Sequence, residues 1–142
     1  MAERPQALAR TTRLATTFDP ARPADLRKWV FANAAPLVPD TDLLTAVVLV
    51  VNEAVTTSGE TAPVTPSPED VVVTLRRGPA GLRCEVLATA ALPELSRDRL
   101  PTDPRVRELW LAMQVSDDID VHIRPYGTGS RISVTLLPGA WS

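Results

Sequence analysis

Fifteen residues from Leu43 to Thr57 run without a glycine or a proline, and Glu53 is their only charge. Five valines in this run favour a strand by propensity, but strands are usually about 3–10 residues long, so its length predicts a buried helix. The preceding Pro39-Asp-Thr-Asp42 supplies capping oxygens and first-turn carboxylates suited to the positive end of a helix dipole. Gly59 stands where a C-cap glycine belongs. A helix that is apolar on nearly every side must be covered by the rest of the chain. That requirement limits the architectures open to the other elements.

Those elements alternate around it. Thr11 to Phe18 is rich in β-branched residues and reads as a strand, broken at 19–23. From Ala24 the spacing of Leu26, Trp29, Val30 and Ala34 predicts a helix, with Pro23 suited to its first turn and Pro36 just past its end. Three prolines between Thr61 and Pro68 mark a loop. Asp70 to Arg77 and Leu82 to Thr89 form two strands joined at Gly78-Pro-Ala-Gly81. After an irregular stretch from Ala90 to Pro104, Val106, Leu109, Trp110 and Met113 make one stripe of a helix over 105–114. Last, Ile119, Val121 and Ile123 alternate with Asp120, His122 and Arg124, and Tyr126-Gly-Thr-Gly129 turns the chain into a strand over 131–137.

The 142 residues suffice for one core. The order strand, two helices, hairpin, helix, hairpin predicts an α+β fold, a two-layer α/β sandwich with a mostly antiparallel sheet and helices packed on one face. The expected organisation is a tail at 1–10, a single domain at 11–138 and a tail at 139–142.

Composition narrows the function classes. Net charge is −2, and fourteen arginines plus Lys28 are dispersed without a basic run, which argues against direct nucleic-acid binding. One cysteine and one histidine exclude a disulfide framework and a His/Cys metal cluster, so no metal site is expected. The longest uninterrupted apolar stretch, Ala46 to Val51, stops at Asn52, far short of the roughly 18 residues of a membrane span. With no signal-peptide apolar core near Met1, the expected location is cytoplasmic, with no membrane partner. With aromatics at 4%, the core is expected to be aliphatic.

Three stretches, Leu49-Val-Val-Asn-Glu-Ala-Val-Thr-Thr57, Cys84-Glu-Val-Leu-Ala-Thr-Ala-Ala91, and Arg107-Glu-Leu-Trp-Leu-Ala112 followed by Ser116-Asp-Asp-Ile-Asp-Val-His-Ile123, resemble in order and local sequence the GHKL (Bergerat-fold) histidine-kinase-like ATPases. The nearest type is the small bacterial anti-sigma-factor serine kinase, and the resemblance covers roughly residues 11 to 138. In that family the central helix carries Glu-x-x-x-Asn. Residues four apart share a helix face; the Glu activates a hydroxyl or water and the Asn holds the magnesium ion of the bound nucleotide. The resemblance makes Glu53 the base and puts Thr57 at the metal position.

The family's Asp-x-Gly-x-Gly contacts adenine and frees the lid backbone. Here the Asp position falls on Ala88 and the first Gly position on Ala90. A methyl group accepts no hydrogen bond from adenine, a loss of about 1–3 kcal/mol. The glycine-rich lid before the last helix corresponds to 103–112, with Val106 and Glu108 at glycine positions; no glycine occurs between Gly81 and Gly127. Backbone N–H groups approach phosphate most closely where no Cβ intervenes, and a carboxylate at Glu108 repels it.

The resemblance with its eroded motifs therefore implies a regulatory protein-binding module in bacterial signalling, anti-sigma-like, with ATP binding lost or weak and no cofactor expected. The implied partners are a sigma factor, an antagonist or another signalling protein, or a second copy in a homodimer, with the helix at 24–35 bearing Trp29 and Phe31 as the contact surface. An active serine/threonine kinase using Mg-ATP, with Glu53 as base and Thr57 as metal ligand, is the alternative. A third reading gives the vacated pocket, lined by Leu87, Ala88 and Ala90, to another small molecule. Elsewhere, Cys84 is expected in the core, His122 on an exposed strand face, Trp110 in packing, and Asp117, Asp118 and Asp120 at a solvated strand start.

Overall fold

The computed structural model describes residues 12–17, 23–60, 72–78 and 81–136. The tails at 1–10 and 139–142, the break at 19–22 and the proline-rich stretch 61–68 lie outside the described residues. The elements are β1 (Thr12–Thr17), α1 (Pro23–Ala34), α2 (Thr41–Glu60), β2 (Val72–Gly78), β3 (Gly81–Ala88), a 3-10 turn (Pro104–Val106), α3 (Arg107–Met113), β4 (Ile119–Tyr126) and β5 (Gly129–Leu136). Five strands form one sheet in the order β1-β2-β3-β5-β4, with every neighbouring pair antiparallel. It is the α+β, two-layer arrangement that the element order implies.

Helix α2 begins where its cap residues place it: the Asp40 carboxylate accepts hydrogen bonds from the backbone N–H groups of Asp42 (2.9 Å) and Leu43 (3.2 Å). Its other end differs from expectation. The helix runs through Gly59 to Glu60, so Gly59 is a helical residue and not a C-cap. Val50, Val51 and Ala54 are fully buried, and Leu43, Leu44, Ala46, Val47 and Val55 nearly so. The helix packs on α1, on α3, on the 3-10 turn and on strands β3 and β5.

The uninterrupted apolar run understates this helix. Averaged over Thr41–Ser58 the mean hydropathy is 1.2, so by length and composition the segment could cross a membrane. Threonine hydroxyls barely lower that average, and in α2 Thr45 and Thr56 return theirs to the carbonyls of Thr41 and Asn52. More than half of the window, 56%, is buried inside the protein, as in the core helix of a globular domain.

Strands β2 to β5 turn one face to the helices. Val73, Leu75, Leu82, Cys84, Val86, Ile119, Val121, Ile123, Ile132, Val134 and Leu136 are buried toward the helices. Against them lie Leu26, Val30 and Ala34 of α1 and Val106, Leu109 and Met113 around α3. Strands β3 and β4 are both antiparallel to β5, which lies between them, so the connection through α3 links two strands of the same direction. The edge strand β4 is blunted by Pro125, which has no N–H to offer.

The last hairpin closes on Gly127-Thr128. Gly127 has φ +60° and no non-glycine residue described has a positive φ, the pattern of a II′ turn with glycine first. Gly129 answers a different need, because a Cβ there would overlap the carbonyl oxygen of Ala88 on the neighbouring strand. The two glycines therefore predict different costs. Gly127→Ala should lose about 1–2 kcal/mol through backbone strain alone, whereas Gly129→Ala must displace β3 from β5 and should lose about 1–3 kcal/mol or more. Urea unfolding of both variants measures the difference; equal and negligible losses would contradict the close approach at Ala88.

Candidate functional site

The residues proposed from sequence sit around the C-terminal half of α2 and the end of β3. Glu53 is half-buried on α2, and Thr57, one turn on, is 3% exposed. The next hydroxyl, Ser58, donates to the Leu87 carbonyl at 2.9 Å and locks this end of α2 to the end of β3. Ala88 is buried, Ala90 half-buried. Val106 is fully buried in the 3-10 turn that packs on α2, while Glu108 projects to solvent. Glu53, Thr57, Ala88 and Val106 thus belong to elements that meet. Glu108 is on α3, which also packs on α2, but its side chain faces solvent.

The backbone from Thr89 to Asp103 has no helix or ladder, yet side chains fasten it at several places. Ser130 Oγ donates to the Ala90 carbonyl (3.0 Å) and accepts from the Leu92 N–H (2.8 Å). Trp110 Nε1 donates to the Ser96 carbonyl at 2.8 Å. Arg97 donates to the Met113 carbonyl at 3.0 Å and to the Ile119 carbonyl, joining the end of α3 to the start of β4. Gln114 Nε2 returns a bond to the Arg97 carbonyl. Leu95, 7% exposed, anchors the middle of the segment in apolar contacts.

Asp103 caps the 3-10 turn through the N–H of Arg105 and pairs with its guanidinium at 2.7 Å. That hydrogen bond holds the Asp103 carboxyl below its usual range. Asp117 and Asp120 flank Arg97 at 3.9 and 3.6 Å. Trp110 is a packing residue with one hydrogen bond, as its stripe implies, and His122 is exposed on the open face of the sheet.

Two features escaped the sequence reading. Asn52 Oδ1 is buried without a hydrogen-bond partner, at a cost of about 1–3 kcal/mol for an unmet acceptor. Its signal was an amide inside an apolar run, beside the more conspicuous Glu53. On the open sheet face Glu85 is only 8% exposed and lies between Arg76 (3.5 Å) and Arg131 (3.7 Å), the latter stacked over the Tyr126 ring at 4.5 Å. A charge at an alternate position of a strand gives no hint of such burial.

Neither of two surface cavities includes Glu53, Thr57, Ala88, Ala90, Val106 or Glu108. One, about 730 Å3, lies between the 93–103 segment and β4, with Arg97, Arg99, Asp103 and His122 in its wall. The other, about 350 Å3, lies between α1 and α2 and is lined by Arg27, Lys28, Phe31, Thr45 and Val48. Compared with models of known protein families and with curated proteins, the chain matches none.

Two measurements probe this region. Ser130→Ala removes both bonds to the 90–92 backbone and should cost about 1–3 kcal/mol in urea unfolding, with faster amide exchange at Leu92; unchanged exchange would show that the hydroxyl does not hold the segment. Cys84, 2% exposed, has its thiol pushed up to about 12 by burial and, secondarily, by Glu85. Because the folded value lies above the unfolded one, near 9, the neutral thiol favours the folded state fully below pH 9, and this contribution is lost as pH rises toward 12. Wild type should therefore lose more stability than Cys84→Ala between pH 8 and 10, read by urea unfolding at each pH; parallel losses would contradict the burial.

Proposed function

We propose that this chain is a degenerate histidine-kinase-like ATPase domain of the GHKL type, cytoplasmic, in which ATP turnover is lost or much reduced and the fold serves to bind another protein in bacterial signalling. A sigma factor, an antagonist of one, or another component of such a switch is the partner class. The reading rests on the resemblance of the three stretches around Glu53, Ala88 and Arg107, and on the two-layer architecture.

The fastened segment from Ala90 to Asp103 is the observation that carries the loss of nucleotide binding. A nucleotide lid must open and close, and its backbone must approach phosphate. Here the segment leading into the lid position has no glycine, its Ala90 and Ser96 carbonyls accept from Ser130 and Trp110, and its Arg97 side chain donates to the Met113 carbonyl. Val106, at a lid position, is part of the core. Closing over a nucleotide would break several of these bonds, each worth about 0.5–1.5 kcal/mol net, and would withdraw Val106 from its apolar contacts. Ala88 offers no acceptor in return.

Isothermal titration of the full chain with Mg-ATP decides between this reading and the kinase alternative. The expected outcome is no saturable heat up to about 1 mM nucleotide, a bound of about −4 kcal/mol on the binding free energy. A micromolar Kd, or phosphate transfer to a serine of a co-purified partner that Glu53→Gln abolishes, would overturn it.

A further inference from the structure

The groove between α1 and α2 belongs to none of the eroded motifs. Its floor is apolar: Val48 is half-buried, and Phe31 is 51% exposed on the α1 side. Leu49, 40% exposed, lies next to Val48 on the same helix. Arg27 and Lys28 line the groove one turn before Phe31, and no carboxylate lines it. Among the described residues neither cation forms an ion pair. Two positive side chains without a carboxylate partner among the described residues, over exposed apolar surface, stand out in a chain of net charge −2.

We infer that this groove docks an acidic amphipathic helix of a partner protein, its apolar side chains on Phe31 and Val48 and its carboxylates against Arg27 and Lys28. The inference rests on the protein-binding reading above and names the surface and the chemistry of what it takes. A shallow trough between two helices suits a helix laid along it, with anchors at i, i+3 or i+4 and i+7. Charge selects the occupant. Carboxylates flanking the anchors meet the two cations, whereas a basic helix would bring like charges together, which is how electrostatic complementarity excludes wrong partners.

A second copy of the chain fits less well. Among the described helices, α1 carries the same two cations and α2 is mostly buried. That leaves α3, whose exposed residues include Glu108 and Leu111, but it is seven residues long and Arg107 adjoins its one carboxylate. A groove-to-α3 contact would also be head-to-tail and would not close into a dimer.

The test uses the full chain and two synthetic helical peptides with identical leucines at i, i+3, i+4 and i+7, one with glutamate and one with lysine at the flanking positions. Fluorescence anisotropy should show saturable binding of the glutamate peptide, at least tenfold weaker for the lysine peptide, and weakening as salt rises from about 50 to 300 mM. Phe31→Ala and the double reversal Arg27→Glu/Lys28→Glu, both at exposed positions, should each reduce binding at least tenfold with an unchanged melting temperature. Equal binding of the two peptides, or a reversal variant that binds the glutamate peptide as wild type does, would overturn the inference. So would a concentration-dependent dimer that Phe31→Ala dissociates, since a second copy would then occupy the groove. If partners co-purified from the source organism persist on both variants, the groove assignment fails while the protein-binding reading stands; Mg-ATP titration of the same samples tests the latter separately.

Discussion

The packing of α2 on the sheet sets the rest of the structure. Residues Val47, Val50, Val51, Ala54 and Val55 fill the space between sheet and helices, all 6% exposed or less. β-branched side chains lose some rotamer freedom in a helix, and removal of their apolar surface from water, at about 25 cal/mol per Å2, outweighs that loss. The neighbours follow from it. Helix α1 lies along one flank, α3 and the 3-10 turn along another, and the sheet lies beneath. Since every described helix is on one side, the opposite face of the sheet is mostly polar, and Glu85 there is held by arginines from two other strands.

The same packing determines what the irregular segment after β3 can do. It crosses from the end of β3 to α3 beside the C-terminal half of α2. Leu95 and Val106 are drawn into the core along the way, and Ser130, Trp110 and Gln114 satisfy backbone groups of the segment at Ala90, Leu92, Ser96 and Arg97. Backbone polar groups beside a core have to find partners. In a chain without glycines here, side-chain donors supply them, and the segment is thereby fixed in place.

Much of the fold was legible because its signals are periodic. Ile119, Val121 and Ile123 alternate as a strand with one buried face must, and all three are buried. Leu26, Val30 and Ala34 recur at helical spacing and face the core. Asp40 capped its helix as a short acceptor should. Gly59 misled because a glycine near a helix end is a frequent but not obligatory stop, and the helix there continues beyond it. Among the site residues, sequence placed Glu53 and Thr57 on one helix but could not show that Thr57 is buried and Glu108 exposed, since those depend on which face α2 and α3 turn to each other. The clamp at Ser130 was illegible for a similar reason: its partners, Ala90 and Leu92, are about 40 residues away along the chain, and nothing local marks a serine that bridges two strands' ends.

One consequence of an all-round apolar helix connects the sequence to the surface. A two-layer sandwich can cover such a helix from below by the sheet and from the flanks by neighbouring helices, but it leaves the outward side open. That side of α2 carries Val48 and Leu49, which the described elements cover only partly. If covering the core were the only demand, outward positions between Ala46 and Val51 would be polar, as Thr45 and Thr56 are on the same helix. Instead the exposed apolar strip adjoins Phe31, and the charges beside it have one sign. Core packing explains neither choice; an outer surface shaped for an oppositely charged, apolar-anchored partner explains both.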